Sequence, residues 1–179
     1  PPNANTMEHP LDFLGSNGGG GVGGGPGISV GAALALRDKH KGRLPVAILG
    51  DGDFMMGSNA FWSAANQEIP LLVIVANNRS YFNDEEHQRH IAHDRHRPEE
   101  NAHVGQRIEG PAPDLVAVAK AQGGWDGEGP VADIKDVPAA LKRGLAAVKA
   151  GKRWVIDVIV APEYVRRPLV DPGRLALSG

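Results

Sequence analysis

Residues 45–78 read PVAILGDGDFMMGSNAFWSAANQEIPLLVIVANN, and this stretch decides the fold class. Pro45 to Leu49 is a short apolar run ending at Gly50-Asp51-Gly52, the pattern of a strand buried on both faces. Leu71 to Val75 is a second, clearer run that closes on Asn77-Asn78. Between them Ser58 to Gln67 reads as a helix, with Ser58 or Asn59 as its cap. Strand, helix, strand in that order is a βαβ unit, so the two strands are expected to be parallel neighbours joined by a right-handed crossover. The expected class is therefore α/β, a parallel sheet with helices on both faces.

Upstream, glycine dominates. The chain has 24 glycines in 179 residues, and nine of them crowd between Gly15 and Gly27, so no packed element is expected to start within that run. Ile28, Ala32, Ala33 and Leu36 then recur at helical spacing, giving a small-residue helix that ends near Lys41-Gly42. Downstream, Tyr81 to Gly110 is rich in charge, His and Asn, a functional loop region with a short helix from Asp84 to His93. Asp114 to Gln122 reads as a helix stopped by Gly123-Gly124, and a further helix runs from the cap Asp136 to the stop Gly151. Trp154 to Val160 is one more strand. These boundaries divide the chain into a lead-in over 1–14, one domain over 15–161 and an extended tail over 162–179.

Composition narrows the function classes. Lys and Arg total 19 against 21 Asp and Glu, a net charge of −2, which provides no basic excess for a nucleic-acid backbone. The absence of cysteine excludes disulfides, thiolate metal sites and cysteine nucleophiles. The longest apolar run, Leu71 to Ala76, falls far short of the ~20 residues of a membrane helix. No basic stretch followed by an apolar one opens the chain, so a cytoplasmic protein without membrane contact is expected.

Ligands of open parallel sheets bind beyond the carboxyl ends of the strands. Asp51 and Asn78 are both expected there, on adjacent strands, 27 residues apart, the length of one crossover. One carboxylate, one amide oxygen and a backbone carbonyl are hard oxygen ligands, suited to a Mg²⁺ shared with a ligand's phosphates. Gly50 and Gly52 let the backbone come close, and the following helix offers its N-terminus to an anion. A diphosphate bound through magnesium is the expected ligand.

Gly50-Asp51-Gly52 followed at this interval by Asn77-Asn78 resembles the signature of the thiamine diphosphate enzymes. Gly20-Gly21-Val22-Gly23 and the small-residue helix after it add to the resemblance, which runs from about Gly15 to Val160 and leans toward the acetolactate synthase and benzoylformate decarboxylase branch. It implies the diphosphate-side, C-terminal domain of an enzyme that decarboxylates or ligates small 2-oxo acids with thiamine diphosphate and Mg²⁺. By that resemblance the metal ligands fall on Asp51, Asn78 and the carbonyl of Ser80, and the diphosphate side on Gly21, Gly50, Gly52 and Asp53. Val22 falls on the apolar prop beneath the cofactor. At Asp53 the family commonly carries a small hydroxylated residue, and a carboxylate there must turn away from the diphosphate. Asn83 and Asp84 match positions that face the substrate, with a helix-capping role for Asp84 as the alternative. The resemblance also implies a pyrimidine-binding domain, in another segment or a partner subunit of a homo- or hetero-oligomer. This chain would then hold half an active site and be inactive alone.

Other patterns compete less well. Gly27-Ile28-Ser29-Val30-Gly31 fits a hydrolase elbow, and the glycine run fits a dinucleotide fingerprint, but neither follows a buried strand. His87, His90 and His93 do not converge on a zinc ion at helical pitch. A non-catalytic module that binds a diphosphate ligand or a partner is the alternative from another class.

Overall fold

A computed structural model describes residues 8–15, 21–40 and 42–161. Helix α1 (Gly25–Lys39) precedes β1 (Val46–Gly50), and β1 runs directly into α2 (Asp51–Gly57) and then α3 (Ala60–Asn66). There follow β2 (Leu71–Asn77), α4 (Phe82–Asp94), α5 (Leu115–Ala121), β3 (Trp125–Val131), α6 (Val137–Lys149) and β4 (Arg153–Ile159). The four strands form one sheet in the order β1-β2-β4-β3, and every pairing is parallel. Gly50 stands opposite Ala76 in the register, so the polar residues after β1 and those closing β2 emerge at the same end of the sheet.

Alternation along the central strands sorts their side chains onto two faces. Leu71, Val73 and Val75 of β2 join Val155 of β4 and Ala47 and Leu49 of β1 under the helices α1, α2, α3 and α5. Leu72 and Ile156, with Ile74 and Val158, face α6 through Ala140, Leu141, Leu145 and Val148. The expected α/β class, with a parallel sheet covered on both faces, is what the chain adopts.

Four expectations need correction. The strand Pro45 to Leu49 is not buried on both faces: β1 is at the edge, α6 packs on β2, β3 and β4, and Ile48 is left 73% exposed. The helix expected over Ser58 to Gln67 forms as α3 with Asn59 at its N-cap position, but an unexpected helix, α2, precedes it from Asp51, where Phe54 of Asp51-Gly52-Asp53-Phe54 is fully buried and packs on Phe61. An element does start inside the glycine run: α1 opens at Gly25 with a proline in its first turn, where a missing N–H costs nothing. Strand β3, whose sequence WDGEGPV has no apolar period, was not expected at all.

Helix α4 starts at Phe82 rather than Asp84, so Asp84 does not cap it. Asp84 lies in the first turn, where its charge suits the helix dipole. The expected cap Asp136 holds the N-cap position of α6 without a side-chain hydrogen bond, whereas Asp114, the N-cap of α5, accepts the Ala117 N–H at 2.8 Å. Ser29 lies in α1 with its hydroxyl on the Gly25 carbonyl, not on a strand-to-helix elbow. The tail over 162–179 lies outside the described residues.

Candidate functional site

At the carboxyl end of the sheet, β1 delivers Asp51 and β2 delivers the turn Asn78-Arg79-Ser80. Asp51 is 2% exposed, and its Oδ2 has no hydrogen-bond partner. Burial pushes its carboxyl above the usual carboxylate range, while the backbone amides of Gly52, of Asp51 itself, of Arg79 and of Ser80 favour the charged form. The structure thus brings Asp51 against the 78–80 turn. A buried carboxylate oxygen that lacks a donor is expensive unless a cation answers it.

The turn is held in an uncommon shape. Arg79 has a φ of 58°, in the left-handed region that costs a non-glycine residue about 1–2 kcal/mol. Two asparagines offset this. Asn77 Oδ1 accepts the Arg79 N–H at 3.1 Å, and Asn78 Oδ1 accepts the Ser80 N–H at 2.9 Å. An amide oxygen has two lone pairs, so Asn78 keeps one for a metal. Ser80 forms an antiparallel bridge with Arg107, in which the hydrogen bonds are made by the Tyr81 N–H, the Gln106 carbonyl, the Ile108 N–H and the Arg79 carbonyl. The Ser80 carbonyl is not among those groups.

Three buried polar groups support the turn, Asn77 from the motif and two that sequence reasoning missed, Asp157 and Glu85. Asn77 Nδ2 donates to Asp157 Oδ1 at 3.0 Å, and burial pushes the Asp157 carboxyl up while the Asn77 bond and the charge of Arg79 oppose it. An acid inside the apolar run Val155-Ile156-Asp157-Val158-Ile159 is the signal that could have found it. Glu85, also buried, accepts the Ser80 hydroxyl at 3.3 Å and pairs with Arg89 at 3.2 Å and Arg107 at 3.5 Å. A cavity of about 240 Å³ opens beside the turn, lined by Asp51, Asn77, Arg79, Asp114, Leu115 and Asp157 among others.

The other candidate residues fall into two groups. Gly52 is buried, and a Cβ on it would run into the Tyr81 ring, so its need for glycine comes first from this packing. Gly52→Ala is expected to cost about 1–3 kcal/mol by overpacking, read from urea melts. The loss should shrink when Tyr81→Ala is added, and strict additivity would exclude the contact as its cause. Asp53 turns away from the Asp51 turn, its Oδ1 accepting the N–H of Gly23 at 2.6 Å and of Gly25 at 3.2 Å. Gly21, Val22 and Gly50 are exposed, as are Asn83 and Asp84 on the first turn of α4. His93 of the histidine series faces Glu99, with Nδ1 and Oε1 2.9 Å apart.

The family model of the thiamine pyrophosphate enzymes' C-terminal TPP binding domain matches residues 3–158. A protein of Methanocaldococcus jannaschii described as a probable acetolactate synthase large subunit is 27% identical over 169 residues, covering 92% of this chain and 25% of that protein. A thiamine diphosphate-dependent 4-hydroxybenzoylformate decarboxylase of Rhodococcus jostii RHA1 is 29% identical with a TM-score of 0.58, over 78% of this chain and 23% of the other. Benzoylformate decarboxylase of Polynucleobacter necessarius shares the fold at a TM-score of 0.61 and 23% identity, over 81% of this chain and 25% of the other. The chain thus spans about a quarter of the length of the relatives it matches.

Proposed function

The chain belongs to the thiamine pyrophosphate enzymes, as their C-terminal TPP-binding domain, and from that premise we propose that it grips the diphosphate end of thiamine diphosphate through one Mg²⁺ in an enzyme acting on small 2-oxo acids. The observation that carries this reading is the orphaned Oδ2 of buried Asp51 beside the 78–80 turn. Asp51, the free lone pair of Asn78 and the Ser80 carbonyl form the hard oxygen set that magnesium takes when it shares the rest of its octahedron with phosphates and water. Among the described residues no three His, Cys, Asp or Glu side chains gather into a metal site, in keeping with an ion whose remaining ligands come from the cofactor.

In this reading the chain's residues bind and orient. Asp51 would supply the charge that answers the ion, and the left-handed Arg79 turn would hold Asn78 and Ser80 in place as its other ligands. Val22 supports the cofactor from the glycine loop, and Asn83 and Asp84 line the substrate side. When bound, thiamine diphosphate supplies the electron sink that decarboxylation or carboligation of a 2-oxo acid requires. The relatives are described as a probable acetolactate synthase large subunit, a 4-hydroxybenzoylformate decarboxylase and a benzoylformate decarboxylase, and we assign this chain to that branch of 2-oxo acid chemistry. A pyrimidine-binding domain, in another segment or a partner subunit, completes the site.

Calorimetric titration of the whole protein with thiamine diphosphate tests the reading. Binding is expected with Mg²⁺ and not after chelation, and Asn78→Ala should weaken it at least about tenfold. Affinity that is indifferent both to chelation and to Asn78→Ala would overturn the metal assignment.

A further inference from the structure

Helix α1 has no cap of its own. Its N-cap residue is Gly24, which has no side chain, and its first turn contains no acid. The acceptor comes instead from a different helix: Asp53, on the first turn of α2, takes the N–H of Gly23 and of Gly25 on a single carboxylate oxygen. Two backbone donors converging on an anion at a helix start form a charge-assisted cap.

The fit around that cap is close. A Cβ on Gly25 would run into the other oxygen of Asp53, and one on Gly57 would run into the Gly23 carbonyl and approach Pro26 Cγ to 2.9 Å. Gly23, at a φ of +97°, places its own missing Cβ 3.0 Å from Met56 Cβ. Asp53, Met56 and Gly57 are spaced three and four residues apart and present one stripe of α2 to the loop. The loop therefore docks onto the helix that begins with Asp51, and Val22 is carried between the docked residues and the exposed Gly21.

We propose that Asp53 is a positioning residue: it fixes the 21–25 loop, and with it Val22, against α2, and does not itself contact the diphosphate or the metal. The proposal rests on the reading of the site given above. It replaces the direct cofactor contact expected from the position after Gly52. It also assigns the Gly23 and Gly25 amides to Asp53, so an incoming anion does not use them.

The test compares Asp53→Ala and Asp53→Asn with the parent in the whole protein. Hydrogen exchange at the Gly23 and Gly25 amides is followed without cofactor, and Mg²⁺-thiamine diphosphate affinity by calorimetry. An asparagine oxygen can accept the same two bonds, so Asp53→Asn should keep both amide protection and affinity within about threefold, whereas Asp53→Ala should speed exchange and weaken binding about tenfold or more. Unchanged exchange in Asp53→Ala overturns the proposal. So does an Asp53→Asn protein that keeps its amides protected yet loses the cofactor, because the charge would then act on the ligand directly. The Asn variant decides the matter even if the Ala variant does not fold. A parent that binds no thiamine diphosphate but frees its amides in Asp53→Ala supports the loop anchor and overturns the reading of the site.

Discussion

Asp51→Asn is expected to yield a protein that is more stable than its parent without ligands and unable to take up thiamine diphosphate with Mg²⁺. The two halves share one cause. Burial raises the Asp51 carboxyl above its ordinary value of 3.8, so the native state binds its proton more tightly than the unfolded chain does. Stability contributed by such a group is full below the unfolded value and is lost as pH rises through the raised native value. Asparagine is neutral throughout. Without ligand at pH 7 it should add about 1–3 kcal/mol, the scale of a buried unsatisfied polar group, and the gain should diminish toward pH 4. Urea melts at the two pH values measure it. The same change removes the anionic ligand, and calorimetry should show affinity down by more than about a hundredfold. A variant that melts like the parent at both pH values, or binds like it, would show that Asp51 is not the charged centre of the site.

Phe61→Ala should be the most destabilising single truncation of the core, at about 3–5 kcal/mol. The Phe61 ring is fully buried, 5.0 Å from the Phe54 ring and 4.7 Å from the Trp125 ring, and its carbonyl accepts the Trp125 indole N–H at 2.8 Å. It therefore joins α2, α3 and β3 at one point. Because Phe54 lies three residues after Asp51, the cavity also loosens the helix on which Asp53 and Gly57 receive the glycine loop. Phe61→Leu, which keeps most of the volume, should cost much less. Denaturant midpoints at constant slope measure both, and a cost near 1 kcal/mol for the alanine would show that the neighbouring rings close over the gap.

What could be read directly from the chain is what depends on local pattern. Strands β1 and β2 are continuous apolar runs, β4 is apolar but for Arg153 and Asp157, and the crossover between β1 and β2, folded as α2 and α3, has a helical connection's length. Asp51 and Asn78 stand out because polar residues end those runs where ligands gather. What escaped depends on partners remote in sequence. Strand β3 is held by pairing with β4 rather than by apolar alternation. The Asn77–Asp157 pair spans 80 residues, and Glu85 acquires its meaning from Arg107 and Ser80. Gly52 reads as a point of close backbone approach to a ligand until the Tyr81 ring is found against it. The departure at Asp53 was visible in the sequence, but the two amides that receive its carboxylate lie 30 and 28 residues upstream and could not be foreseen.

The strand order β1-β2-β4-β3 also sets a timetable for the chain's maturation. Of the four described strands β4 is made last yet inserts between β2 and β3, so these strands cannot pair in the sequence in which they leave the ribosome. The unit from β1 to β2 closes a short loop and can pair early. Among the described strands β3 then has no sheet neighbour until β4 arrives, and Asn77 lacks the Asp157 carboxylate until that residue is made. β4 is thus the keystone: until residues 153–159 are synthesised, β2 keeps an open apolar edge, the interval in which a nascent chain of this topology is most in need of a chaperone.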